Sequence, residues 1–135
     1  MIQDVEIPID RAAEFLEFFH REIGLRPIIN GPVVGSTTAQ GRFPLFPLKP
    51  DVLYVNIGFW DTVRTRKDRP PGYLNRRIED KVAELGGLKM LYSESYYDEA
   101  EFRDLYNGPV YDRLKAKYDP EGRLSDLYRK CVLRQ

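Results

Sequence analysis

From Ile2 to Ile9 the chain reads I-Q-D-V-E-I-P-I, and Val5, Ile7 and Ile9 alternate with Asp4, Glu6 and Pro8. That period of two predicts a half-buried strand whose proline suits an edge or an end. A strand starting this near residue 1 hints that another segment ordinarily precedes it. Asp10 is placed to cap a helix whose apolar positions Ala12, Phe15, Leu16, Phe19 and Ile23 share one face, and Gly24 supplies a left-handed stop. Leu25 to Asn30 is short and apolar, bounded by Gly31-Pro32, and predicts a second strand. Residues 31 to 51, dense in proline and glycine, predict a long loop of the kind that binds or contacts a partner. Val52 to Trp60 alternates cleanly. Leu53, Val55, Ile57 and Phe59 lie on one face and Tyr54, Asn56, Gly58 and Trp60 on the other.

A basic loop, Arg64 to Arg69, ends in Pro70-Pro71-Gly72 and opens a helix carrying Leu74, Ile78, Val82 and Leu85 on one stripe, closed by Gly86-Gly87. Leu88 to Tyr96 predicts a fourth strand. Asp98 and Glu101 form a D-x-x-E start to a third helix through Phe102, Leu105 and Tyr106. Asn107-Gly108-Pro109 breaks it, Val110, Leu114 and Tyr118 mark another helix, and Leu124, Leu127, Tyr128 and Cys131 a last short one. The order β-α-β-β-α-β plus a helical tail predicts an α+β class, a ferredoxin-like antiparallel sheet with helices on one face. The other face, carrying Tyr54, Asn56 and Trp60, then has to meet water, a second subunit or another domain.

Composition narrows the function. At 135 residues the chain is one domain, 1–135, and its 21 basic and 21 acidic residues cancel, which disfavours a nucleic-acid partner. One cysteine excludes an internal disulfide, and one histidine makes a zinc centre improbable. No apolar run approaches the length of a membrane span and the first residues lack a signal-peptide pattern, so a cytoplasmic location is expected. Neither a G-x-G-x-x-G nor a phosphate-binding G-x-x-x-x-G-K-S/T loop occurs. His20 falls in the last turns of an amphipathic helix and reads as solvated; Cys131 reads as part of an apolar stripe. The paired acids at Asp98, Glu99 and Glu101 are explained by helix capping. Nine tyrosines are a heavy load, and Tyr54, Tyr92, Tyr96 and Tyr97 fall where two strands can present them together. Such a face suits a flat aromatic ligand or an interface, or a core whose tyrosine tips stay wet.

The order of residues in G-G-L-K-M-L-Y-S-E-S-Y-Y-D-E-A-E-F (Gly86 to Phe102), Y-N-G-P-V-Y-D-R-L-K-A-K-Y-D-P (Tyr106 to Pro120) and L-S-D-L-Y-R-K-C-V (Leu124 to Val132) resembles the C-terminal part of delta-24-sterol-reductase-like FAD-dependent oxidoreductases. D-V-E-I-P-I (Asp4 to Ile9), R-P-I-I-N-G-P (Arg26 to Pro32) and F-P-L-K-P-D-V-L-Y-V-N-I-G-F-W (Phe46 to Trp60) fall where that family has its corresponding stretches. The resemblance places the chain with vanillyl-alcohol-oxidase-type flavoproteins. It implies a C-terminal cap domain whose sheet lies over the flavin of an N-terminal FAD-binding domain not contained in this sequence. It also implies that FAD binds the full-length parent rather than this chain alone, and that the isolated chain is inactive. By position it assigns Tyr92, Ser93 and Glu94 to the flavin and substrate. Tyr92 or Glu94 is then the proton-handling group, and Ser93 takes their place if the strand alternates the other way. A lysine that some relatives carry near Ser93 has no counterpart here. Strand pairing adds Asn30, Tyr54 and Asn56 as cofactor neighbours. The expected partners are the FAD-binding domain and a small-molecule substrate. The competing reading is a non-enzymatic ferredoxin-like module that forms a homodimer through its free sheet face or binds a small ligand there.

Overall fold

The computed structural model describes residues 2–25, 27–34, 43–63 and 68–135. Four strands, β1 (Ile2–Pro8), β2 (Ile28–Val34), β3 (Leu53–Trp60) and β4 (Leu88–Lys89), form one sheet in the order β2-β3-β1-β4, every neighbouring pair antiparallel. Helices α1 (Ala12–Phe18) and α2 (Tyr73–Glu84) make the two crossovers, and α3 (Glu99–Leu105) and α4 (Gly108–Tyr118) follow β4. The class is α+β and the element order is the one the hydrophobic pattern predicts.

Alternation places the core. Val5 and Ile7 of β1 stand beside Ile57 and Val55 of β3, and with Phe59 they bury against Phe15, Phe18, Phe19 and Ile23 from the first helical segment and Ile78, Val82 and Leu85 from the second. Both crossover helices therefore cover the same face, as expected. Gly87 lets α2 turn tightly into β4, because a methyl group there would overlap the Glu6 carbonyl oxygen on β1.

The helix ends differ in part from expectation. Asp98 caps α3 as predicted, its carboxylate accepting from the Glu101 amide at 2.8 Å. Asp10 makes no cap hydrogen bond; a 3-10 turn, Ile9–Arg11, feeds α1 instead. A π-helical turn, Phe19–Ile23, then carries the chain to Gly24, which takes the predicted left-handed conformation.

The largest departure is the fourth strand. Leu88 to Tyr96 was expected to be extended and paired, yet only Leu88 and Lys89 pair with β1, and Met90 adds one amide hydrogen bond to the Asp4 carbonyl. The cause is the Lys89 side chain. It points to the helix-covered side, fully buried, and its ammonium donates to Glu79 Oε1 of α2 at 2.8 Å, to Ser95 Oγ at 3.0 Å and to the Glu94 carbonyl. Glu79 in turn accepts from the Tyr96 amide through both oxygens at 3.1 Å. Residues 94–96 are thereby folded back onto α2 instead of continuing along β1.

A second apolar cluster, Leu88, Tyr97, Phe102 and Tyr106, forms where α3 and the tail meet β4, with Phe46 and Leu48 from the segment before β3 and Leu127, Tyr128, Cys131 and Val132 from the C-terminus packed on it. Cys131 is thus part of an apolar stripe, as the spacing indicated.

Candidate functional site

The sheet face away from α1 and α2, helix-free except where α3 and the C-terminal turn pack on Leu88, carries Asp4 and Glu6 from β1 and Tyr54, Asn56, Gly58 and Trp60 from β3. Its two ends differ. At the Tyr54 end the chain covers its own sheet: Tyr54 is 1% exposed and its hydroxyl accepts from the Lys49 amide at 3.1 Å. The expectation that Tyr54 stands free to meet a cofactor is therefore corrected, because the segment before β3 packs back over the strand it enters. At the other end Trp60 is 81% exposed and Tyr92 63% exposed. The Tyr92 phenol lies beside the Asp4 carboxylate and Trp60 stands across from Ile2, so these two aromatics flank the first half of β1. Partial burial, with the Asp4 partner adding to it, pushes the Tyr92 phenol up to about 12, and at neutral pH it keeps its proton.

Between the two ends sits Glu6. The residue is wholly buried, Oε1 accepts from Asn56 Nδ2 at 2.7 Å, and Oε2 has no hydrogen-bond partner among the described residues. Burial raises the pKa of its carboxyl, the Asn56 hydrogen bond opposes the rise, and nearby Asp4 reinforces it. No sequence motif marks Glu6, which reads simply as the polar half of an alternating strand.

Of the three residues assigned to chemistry by resemblance, Tyr92 lies on the helix-free side with Asp4, Ser93 has a shielded hydroxyl with no partner among the described residues, and Glu94 accepts from the Tyr96 hydroxyl at 2.9 Å and faces Arg134 at 3.3 Å. All three border one cleft of about 550 Å³ whose far wall is Leu127, Lys130, Cys131 and Arg134 from the C-terminus. Asn56 joins the Glu6 pair, whereas Asn30 sits in β2 at a register shift between Ile29 and Gly31, and its side chain falls outside the described ones. Of the basic loop, Arg64 to Lys67 lie outside the described residues; Arg69 stacks its guanidinium 4.2 Å from the Tyr73 ring centre. His20 is exposed. Among the described residues no cluster of metal-ligating side chains occurs, and no helix is long and apolar enough to cross a membrane.

The relatives of the chain are reductases. Over 134 residues, 96% of the chain, it is 26% identical to the delta(24)-sterol reductase homolog dhcr-24 of Caenorhabditis elegans, and it is 25% and 24% identical to the delta(24)-sterol reductases of Arabidopsis thaliana and Homo sapiens over the same share. The chain spans only about a quarter of the length of these relatives, between 24% and 26%. No family model matches it.

Proposed function

We propose that this chain is the part of an FAD-dependent oxidoreductase that covers the flavin and shapes the substrate pocket, the dinucleotide itself being held by another polypeptide or domain. The observation that carries the reading is the alignment of nearly the whole chain with one quarter of the delta(24)-sterol reductases. The geometry adds a docking end to the sheet. Trp60 and Tyr92 offer two exposed aromatic surfaces with the half-buried Asp4 between them and the Glu6–Asn56 pair beyond. A flat heteroaromatic ring fits that end; it does not fit the Tyr54 end, which the chain's own Leu48–Lys49 segment occupies.

When bound, the flavin supplies the hydride chemistry. The chain's own residues would orient the ring, exclude water and hold protons. Tyr92, beside Asp4, keeps its phenolic proton at neutral pH, which makes it the proton-holding group nearest the open end. Asn56 presents an amide already oriented by Glu6.

The reading is tested by titrating FAD into the chain and by examining the reading frame upstream of its coding sequence. The expected result is no stoichiometric FAD binding by the chain alone, and an upstream frame encoding a flavin-binding polypeptide with which the chain copurifies. Tight one-to-one FAD binding by this chain would overturn the division of labour. A concentration-dependent dimer in sedimentation, with no flavin-binding frame upstream, would favour the self-associating module instead.

A further inference from the structure

The cleft beside the helix-free face has a composition that flavin covering does not require. One wall is the turn Leu91–Glu94 and the other is the C-terminal turn, Arg129–Leu133, with its flanks. The inner surface is apolar, from Leu91, Leu127 and Cys131, and burial pushes the Cys131 thiol up, so this side chain adds no charge there. The rim carries Lys130, Arg134 and Glu94, one net positive charge. Arg134 is fixed in place: its guanidinium donates to the Tyr96 hydroxyl at 3.0 Å and faces Glu94 at 3.3 Å. No ion pair neutralises Lys130 among the described residues. The Ser93 hydroxyl lies behind the same wall, closed off from the cleft, and leaves Lys130 as the polar group that the open side presents without an ion pair.

We propose that this cleft binds a small monoanionic amphipath, a carboxylate on a short hydrocarbon body, with Lys130 taking the carboxylate and Leu91, Leu127 and Cys131 taking the hydrocarbon. The charge count selects a single negative charge, since a phosphate dianion would be left half neutralised beside Glu94. The volume, about 550 Å³, lies in the range of small-molecule sites and far exceeds what a bare acetate fills. The cleft shares Tyr92 and Glu94 with the region that the flavin-cover reading gives to the substrate, so the proposal rests on that reading and deepens it by naming a ligand class, while the binding test below needs no flavin.

The test is an amide-resonance titration of the full chain, without flavin, using sodium octanoate as probe and 1-octanol, acetate and inorganic phosphate as comparisons. Octanoate is expected to give saturable shifts confined to residues 91–94 and 127–134, and to bind about tenfold more tightly than octanol or acetate, the margin of one charged hydrogen bond. Lys130→Gln, at an exposed position that folding does not need, should weaken octanoate to the level of octanol and leave octanol unchanged. Equal binding of octanol and octanoate would reduce the cleft to an apolar crevice. Equal binding of phosphate would make it an unselective anion site, and shifts that fail to saturate or fall elsewhere would mean no site at all. Each of these overturns the proposal, and none depends on whether a flavin lies on the sheet.

Discussion

Glu6 shows how a single residue can stay invisible in a sequence and still set a property of the fold. Its place in the alternating pattern puts it opposite the hydrophobic face, where a carboxylate ordinarily meets water. Here that side is closed over it, and the carboxyl is half-satisfied by Asn56. Because burial raises its pKa in the folded chain, the native state holds more protons than the unfolded one between the ordinary carboxylate range and the raised value. Stability must then fall as pH rises through that interval. Glu6→Gln keeps the shape and the Asn56 contact but cannot ionise. It should be more stable than the parent at pH 7, with the difference vanishing below the ordinary carboxylate range, as followed by urea unfolding at several pH values. Lys89 is the opposite case, a buried charge with a complete set of partners. Lys89→Met takes from Glu79 its buried ammonium and leaves only the Tyr96 amide and Arg76 at 3.8 Å, and should cost about 3 kcal/mol in urea unfolding, with Glu79→Leu added returning part of that loss.

At the scale of elements, periodicity was a good guide wherever one face alone decided the conformation. The α2 stripe of Leu74, Ile78, Val82 and Leu85 and the alternation of β3 both emerge as read, because each has a single core to face. Leu88 to Tyr96 failed because two periodic demands competed there. Its aromatic-rich, alternating pattern suits a strand, but the Lys89 ammonium can be satisfied only by Glu79 and by carbonyl and hydroxyl oxygens brought in from residues 94 and 95. The pairing is ten residues apart in sequence and crosses from a strand to a helix, so no local pattern announces it. The site inherits the difference. Tyr92, Ser93 and Glu94 stand on a turn and project to different surroundings instead of alternating across a sheet. The neighbouring Gly87 reads in the sequence as a helix stop, and the structure gives it a second role as the point where the chain leaving α2 nears β1. Gly87→Ala, forcing a methyl group against the Glu6 carbonyl and Ile7, should destabilise by about 1–3 kcal/mol, lowering the melting temperature, while Gly122→Ala at an open turn should cost about 1 kcal/mol from its positive φ alone.

For the molecule as a whole, two apolar clusters divide the labour. The first joins sheet and crossover helices; the second fastens α3, the C-terminal turn and the Phe46–Leu48 segment around Leu88. The resemblance to reductases made the Tyr92–Glu94 region legible in the sequence. The facing wall of the cleft was not, because Lys130 and Arg134 look like ordinary charges of a helical tail until the second cluster folds that tail against the turn. Removing residues 124–135 should expose Phe102 and Tyr97 and raise the binding of a hydrophobic dye. Hydrogen exchange should then speed up in α3 and the 90–98 segment more than in β1 and β3. Such a pattern would show that the two clusters open separately; uniform acceleration throughout the sheet would show one cooperative unit.

The outer strands of the sheet bear on how the chain behaves at high concentration. β4 offers only two paired residues, and β2 carries Pro32 and a register shift beside Gly31. Among the described residues neither border presents a long run of regularly spaced amides and carbonyls on which another polypeptide could propagate a ladder. At these two borders the backbone gives a ladder little to grow on, which favours association through side chains meeting face to face.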